Sequence, residues 1–566
     1  MTTRSGGEIL VANLIAQGTT HAFGVPGESF LPVLDALHDV ADRLTFVICR
    51  HEGGAAYMAD AYGKLTGRPG IAIVTRGPGA SNASIGIHTA AQDSTPLIVL
   101  VGQVGGDFSD REAFQEIDYR RMFGGSVKWA AQIDRAERIP EYVGHAFRIA
   151  MAGRPGPVVL ALPEDMLAQR CDAPDIPRVD AIPIEPADSQ IDSVRDILAA
   201  AQRPLMLVGG SRWTPEACSS LRALAQRTGL PVACAFRHQH LFDNRDEHYA
   251  GDVGISINPA LAKRVRDADV LLVVGERLGE ITTSGYTLIE PPVPRQTLIH
   301  VHPGTDELGR VYQPALAINA TPQEFLSALA NAMDGDMRWR DAARDTHAQY
   351  EAWREPRPVP GAVDLWQIVR WLDSTLPEDA IIANGAGNYA TWIHRLFRFR
   401  AFRSQLAPYS GSMGYGVPAA VTAKLLHRDR LVVSWNGDGC FLMNGQELST
   451  AVQYDLPIVF VVIDNAMYGT IRMHQERTYP GRVSGTMLVN PDFAALARAY
   501  GAVGETIEST EQFAPAFERA IGSDTPTLLH VKLDPRALTM NASLDELRKQ
   551  GFRNAIRGAG PPQAAN

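Results

Sequence analysis

Hydrophobic positions along the chain fall in short unbroken runs rather than in strict alternation. Residues 70–75 (GIAIVT), 97–102 (LIVLVG), 158–162 (VVLAL), 205–209 (LMLVG), 270–275 (VLLVVG), 431–435 (LVVSW) and 458–463 (IVFVVI) are rich in β-branched residues. A strand with one wet face alternates apolar and polar residues, whereas an unbroken run marks a strand covered on both faces, as in a parallel sheet. Helical stretches separate the runs. The repeated strand–helix alternation predicts an α/β protein built from doubly wound parallel sheets.

Two segments break this rhythm. Residues 171–190 (CDAPDIPRVDAIPIEPADSQ) and 354–361 (REPRPVPG) are dense in proline and carry neither period, so both are expected to be interdomain linkers. With 566 residues the chain exceeds one comfortable core. Three domains are expected, over 1–170, 190–335 and 362–540, followed by a tail over 541–566 that ends GAGPPQAAN.

Composition removes several function classes. A formal charge of −10 argues against nucleic acid or an anionic membrane as the main partner. The sequence has no apolar run of membrane-spanning length and no secretory signal at its start, and the expected location is cytoplasmic. The five cysteines, Cys49, Cys171, Cys218, Cys234 and Cys440, form no CxxC pair or cluster with histidines, so reduced thiols are expected.

Candidate chemistry concentrates in residues 430–465, RLVVSWNGDGCFLMNGQELSTAVQYDLPIVFVVIDN. The segment parses as strand, glycine-rich turn, helix and strand, one right-handed βαβ unit. Asp438 follows the first strand and Asn465 the second. Adjacent parallel strands lie about 4.8 Å apart, so a carboxylate and an amide oxygen at neighbouring strand ends can reach one small hard cation. Gly437 and Gly439 allow close approach of the backbone to a phosphate. Mg²⁺ suits such a site because it takes few protein oxygens and shares its remaining positions with phosphate and water. Gly-Asp-Gly by itself is also an ordinary strand-ending turn; the matched Asn465 is what changes the reading.

This segment resembles the diphosphate-binding motif of thiamine-diphosphate enzymes, which begins GDG and ends NN; here Asp464-Asn465 stands in place of NN. The resemblance implies Mg²⁺ held by Asp438, Asn465 and the carbonyl of Met467. Residues 50–62, RHEGGAAYMADAY, resemble the same family's catalytic-glutamate motif. Thiamine chemistry requires a carboxylic acid to act on the cofactor's aminopyrimidine so that the thiazolium C2 proton can leave, and Glu52 is the implied acid. Residues 411–420, GSMGYGVPAA, resemble the segment that bends the cofactor, with Met413 as the apolar prop and the Gly411 carbonyl as acceptor for the pyrimidine amine. The three domains are then a pyrimidine-binding, a Rossmann-like middle and a diphosphate-binding domain.

The match runs over nearly the whole chain and is nearest to the acetolactate-synthase-like group, through FGVPGESFLPVLDAL, DSTPLIVLVGQV, EAFQE and AGRPGPVVLALPEDM. Gln103, Phe114 and Gln115 fall where that group's substrate-facing residues lie. Departures are also visible. Decarboxylase-like members have paired histidines where this chain has Gly102-Gln103; Glu28 stands where acetolactate synthases have glycine, and His474 where they have a substrate-selecting tryptophan. The flavin pattern is poorly matched, with GDVG at 251–254 and ERLGE at 276–280. The middle domain also lacks GxGxxG.

The resemblance therefore implies a thiamine-diphosphate- and Mg²⁺-dependent 2-oxo acid decarboxylase and carboligase, with FAD doubtful. Its substrates would be small 2-oxo acids or 2-hydroxy ketones. Glu52 is the expected catalytic residue, with Glu28 and Gln103 as orienters. Alternatives on the same fold are a 2-hydroxyacyl-CoA lyase, a simple 2-oxo acid decarboxylase and an inactive cofactor-binding subunit. A homodimer or homotetramer is implied, with Glu52 of one subunit meeting Asp438 of another.

Overall fold

A computed structural model describes residues 3–333, 335 and 338–556. Three six-stranded parallel sheets carry the chain, one in each third. The runs read as buried strands are strands: Gly70–Val74, Leu97–Gln103, Pro157–Pro163, Leu205–Val208, Val270–Val274, Val432–Gly437 and Val459–Asp464. Every residue in them is buried, which is the physical reason they show no alternation.

The N-terminal sheet runs Thr45–Ile48, His21–Gly24, Gly70–Val74, Leu97–Gln103, Pro157–Pro163, Trp129–Gln132 across its width. The C-terminal sheet runs Gln405–Leu406, Ile381–Asn384, Val432–Gly437, Val459–Asp464, Thr527–Lys532, Val503–Ile507. Numbered from their own first strands, both follow the order 2-1-3-4-6-5. This internal duplication is not visible in the sequence, because the two halves share topology and not side chains. The middle sheet, from Tyr249–Val253 through Leu205–Val208 to Leu316–Ile318, has the order 3-2-1-4-5-6 of a Rossmann domain.

Contact density groups the chain into two compact units. The first contains residues up to 182 with 408–427 and 444–454. Its core places helix Glu52–Thr66 against helix Pro78–Asp93. A Cβ at Gly86 would lie 2.4 Å from that of Ala56, so small residues permit the close packing. The second unit contains the middle and C-terminal sheets.

Two expected irregular segments are more ordered than their composition suggests. Within 171–190, the side chains of Asn13 and Gln17 hold the backbone of Ile176, Pro177 and Val179. Within the expected tail, Leu544–Ile556 is a helix, and Leu544 and Leu547 are buried with Met467 and Leu538. Residues 557–566 lie outside the described residues. No helix among the described residues is long and apolar enough to cross a membrane.

Candidate functional site

In an open α/β sheet, ligands bind beyond the carboxyl ends of the strands where the strand order reverses. In the C-terminal sheet this point lies between Ile381–Asn384 and Val432–Gly437, and Asp438 follows the second of these directly. Strand Val459–Asp464 pairs with Val432–Gly437, which puts Asn465 at the adjoining strand end. The backbone here admits no side chains. A Cβ at Gly437 would meet the Tyr389 ring at 2.6 Å, and one at Gly439 would meet Tyr468 at 2.7 Å.

Asp438 and Asp464 are both buried and share one partner that the sequence did not reveal. The amide nitrogen of Asn490 donates to Asp438 Oδ2 and to Asp464 Oδ1, each at 2.8 Å. Burial pushes the Asp438 carboxyl up to about 6, and the neighbouring Asp464 adds to the effect. Burial opposes ionisation of Asp464 too, but hydrogen bonds from His530, Lys532, Asn490 and the Ala466 amide outweigh it and hold that carboxyl well below the usual range.

The donor set fits a divalent cation. Asp438 is a desolvated carboxylate without a basic side chain bonded to it among the described residues, and the buried Oδ1 of Asn490 beside it has no hydrogen-bond partner. Asn465 is half-buried, and Met467 is held in a short antiparallel bridge with Met487. The bonds Tyr468 N to Thr486 O and Leu488 N to Ala466 O fix the same turn. His474 is exposed on helix Gly469–Thr478.

Glu52 opens helix Glu52–Thr66 in the first unit and is buried. Asn82 Nδ2 donates to its Oε2 at 2.9 Å, and Gly79 leaves room for it, a Cβ there falling 3.2 Å from Oε1. The backbone just ahead of it is anchored by Glu447, whose Oε1 accepts from the amides of Arg50 at 2.9 Å and His51 at 3.1 Å. The Gly411–Met413 segment belongs to the same unit. Asp93 accepts from the amides of Tyr409 and Ser410, Thr89 bonds Ser412, and Tyr57 donates to the Met413 carbonyl at 3.2 Å. Met413 is half-buried, while Gly411 is exposed at φ 70°.

The remaining expected residues lie along the rim of the N-terminal sheet. Glu28 pairs with Arg76 at 2.9 Å. Gln103 is buried, but both ends of its amide are used on backbone: Nε2 donates to Ile117 O and Oε1 accepts from Val104 N. Its reach is therefore into the 110–119 loop. Phe114 is exposed on that loop, and Gln115 is half-buried at φ 65°. Gly102 has no space for a side chain, since a Cβ would lie 2.1 Å from Ser29 Oγ. Asn82, Arg76, Glu447 and Asn490 were missed because each acts through partners distant along the chain.

Three thiamine pyrophosphate enzyme domain models match in order: the N-terminal TPP binding domain over residues 4–122, the central domain over 191–329 and the C-terminal TPP binding domain over 385–531. The chain is 32% identical to the acetolactate synthase isozyme 2 large subunit of Escherichia coli, over 94% of this chain and 96% of that protein. It is likewise 32% identical to a probable acetolactate synthase large subunit of Methanocaldococcus jannaschii, covering 94% and 92%. Identity to the acetolactate synthase of Bacillus subtilis is 28%, covering 96% of each. The three sheets, the strand-end site and these matches together establish that the chain belongs to the thiamine pyrophosphate enzymes and is acetolactate-synthase-like.

Proposed function

We propose that the protein is a thiamine-diphosphate- and Mg²⁺-dependent carboligase that decarboxylates a 2-oxo acid and joins the remaining carbon unit to a second carbonyl compound. The observation that carries the reading is the pairing of a desolvated Asp438 with Asn465 at adjoining strand ends, beyond glycines too crowded to take a side chain. Asp438, Asn465 and the Met467 carbonyl hold Mg²⁺, and the Gly437–Gly439 backbone receives the diphosphate. Bound thiamine diphosphate supplies the nucleophile and the electron sink on which the 2-oxo acid loses CO₂.

This chain's residues do the rest. Glu52, fixed by Asn82, exchanges a proton with the pyrimidine ring nitrogen. Met413 would supply the apolar prop for bound thiamine diphosphate, and the Gly411 carbonyl would accept from its amine. Glu28 and Gln103 order the substrate side, the latter through the loop it holds, and Phe114, Gln115 and His474 line the approach. A homodimer or homotetramer is the proposed assembly, with Glu52 of one subunit serving a cofactor anchored by Asp438 of another.

The middle domain is proposed to act without FAD. A Cβ at Gly209 would lie 2.5 Å from the buried Glu276 carboxylate, which places an anion at the strand end where a pyrophosphate would approach. A colourless protein after purification, with no flavin released on denaturation, is the expected result.

The function is tested by product analysis over a panel of 2-oxo acids with Mg²⁺ and thiamine diphosphate present. Glu52→Gln is expected to reduce turnover by about 10²-fold or more, the scale of a lost acid–base group. Full turnover by that variant would refute the assignment.

A further inference from the structure

We propose that Arg76 is a positioning residue that sets the fate of the carbon unit left after CO₂ loss, favouring attack on a second carbonyl over release of an aldehyde. The inference rests on the carboligase reading above. In the N-terminal sheet the strand order reverses between His21–Gly24 and Gly70–Val74. Glu28 comes after the first of these strands and Arg76 after the second, so their ion pair spans the point where an α/β sheet admits its ligand. The same turn carries Gly79, which abuts Glu52.

One guanidinium joins three segments there. Arg76 Nη2 donates to Glu28 Oε1 at 2.9 Å, Nη1 approaches Glu164 Oε2 at 3.4 Å, and Nε donates to the Phe114 carbonyl at 3.2 Å. The arginine side chain is 9% exposed, whereas those of Glu28 and Glu164 are 69% and 41% exposed. The carboxylates can be rehydrated if the cation is removed, so its loss is tolerable to the fold while its geometry is not replaceable by water. Only the planar fork of arginine can serve two carboxylates and a carbonyl at once.

The loop it holds is strained. Asp110, Glu112 and Gln115 all have φ between 52° and 65°, and the Phe114 carbonyl bonded by Arg76 immediately precedes Gln115. Such conformations persist only where surrounding contacts over-determine them. Gln103 on Ile117 O and the Glu116 carboxylate on the amides of Asp110 and Ala113 supply the other ties. Arg76 thus fixes two things together: the backbone at Phe114, the residue proposed above to line the approach, and a carboxyl group that must not wander. A released Glu28 could swing in as an acid, its O–H proton passing to the carbon left after CO₂ loss. A C–H bond forms, and the hydroxyl on the same carbon gives its proton to solvent as its C=O forms. The bond tying that carbon to bound thiamine diphosphate breaks with the electron pair left on the cofactor, aldehyde departs, and the carboxylate takes a new proton from solvent.

The test is Arg76→Gln in the full-length enzyme with Mg²⁺, thiamine diphosphate and a 2-oxo acid, with hydrogen exchange of the 113–117 amides measured in parallel. The aldehyde-to-hydroxyketone ratio is expected to rise about tenfold, the scale of one lost charge-assisted hydrogen bond, with CO₂ release changed less than about threefold. Exchange at 113–117 is expected to accelerate by a similar factor. Arg76→Lys keeps the charge but not the fork, and is expected to fall between; it carries the test if Arg76→Gln fails to fold. Product ratio and loop exchange both within about twofold of wild type would overturn the assignment while leaving the carboligase reading intact. A wild-type chain that turned over no 2-oxo acid would overturn both.

Discussion

Removing the Glu447 carboxylate should dislodge the residues that aim Glu52. Its Oε1 accepts from the amides of Arg50 and His51, its Oε2 accepts from Thr450 Oγ1 at 2.6 Å, and the glutamate itself has no solvent contact. Glu447→Ala would leave two backbone N–H groups without their partner and open a void beside Gly54, whose hypothetical Cβ lies 2.5 Å from Oε1. Hydrogen bonds to a charged acceptor contribute about 1.5–3 kcal/mol each. Two of them give a local destabilisation of about 3–6 kcal/mol, or about 10²–10⁴-fold in the opening equilibrium of those amides. Glu447→Gln keeps one carbonyl oxygen toward the amides and can turn its NH₂ toward the Thr450 hydroxyl, which rotates to accept; about 1 kcal/mol is expected. Site-resolved hydrogen exchange at Arg50 and His51 measures the effect directly, and C2 deuterium exchange of bound thiamine diphosphate should slow in step for the alanine variant. If Glu447→Ala exchanged at the wild-type rate, or Glu447→Gln were as damaged as Glu447→Ala, the anchoring argument would be wrong.

Further predictions use other parts of the chain. Burial raises the Asp252 carboxyl to about 7, so its folded form holds a proton that the unfolded chain releases from pH 3.8 upward. Stability should therefore decline between those values, and Asp252→Asn should flatten the decline and gain about 2–4 kcal/mol above pH 7, read from melting temperature against pH. Gly437→Ala forces a methyl into the Tyr389 ring and is expected to cost about 1–3 kcal/mol and abolish diphosphate binding, measured by calorimetry with thiamine diphosphate. Asn490→Ala removes the amide that bridges Asp438 and Asp464, and Mg²⁺ affinity should fall by about 10–100-fold in a metal titration; unchanged affinity would show that Asn490 does not orient Asp438.

The sequence by itself determined the fold class, since a strand buried on both faces must be apolar throughout and the runs at 70–75, 205–209 and 458–463 therefore declare themselves. It also marked the proposed cofactor anchor, because Asp438 and Asn465 each lie at the end of a strand and the chain between them is one βαβ unit, so local order encodes the pairing of those strands. Long-range partners have no such local encoding. Asn490 reaches Asp438 and Asp464, Glu447 reaches Arg50 and His51, and Asp93 reaches Tyr409 and Ser410, each across a wide separation in sequence. The helix Leu544–Ile556 was hidden because its sequence is mostly polar, and only packing by Leu544 and Leu547 selects it. Gln103 was visible as a candidate, but only the folded chain showed both ends of its amide committed to backbone. Arg76 stands in the short turn between strand Gly70–Val74 and helix Pro78–Asp93. Which of its donors would find Glu28, Glu164 and Phe114 was decided by the strand order that brings those loops to one edge.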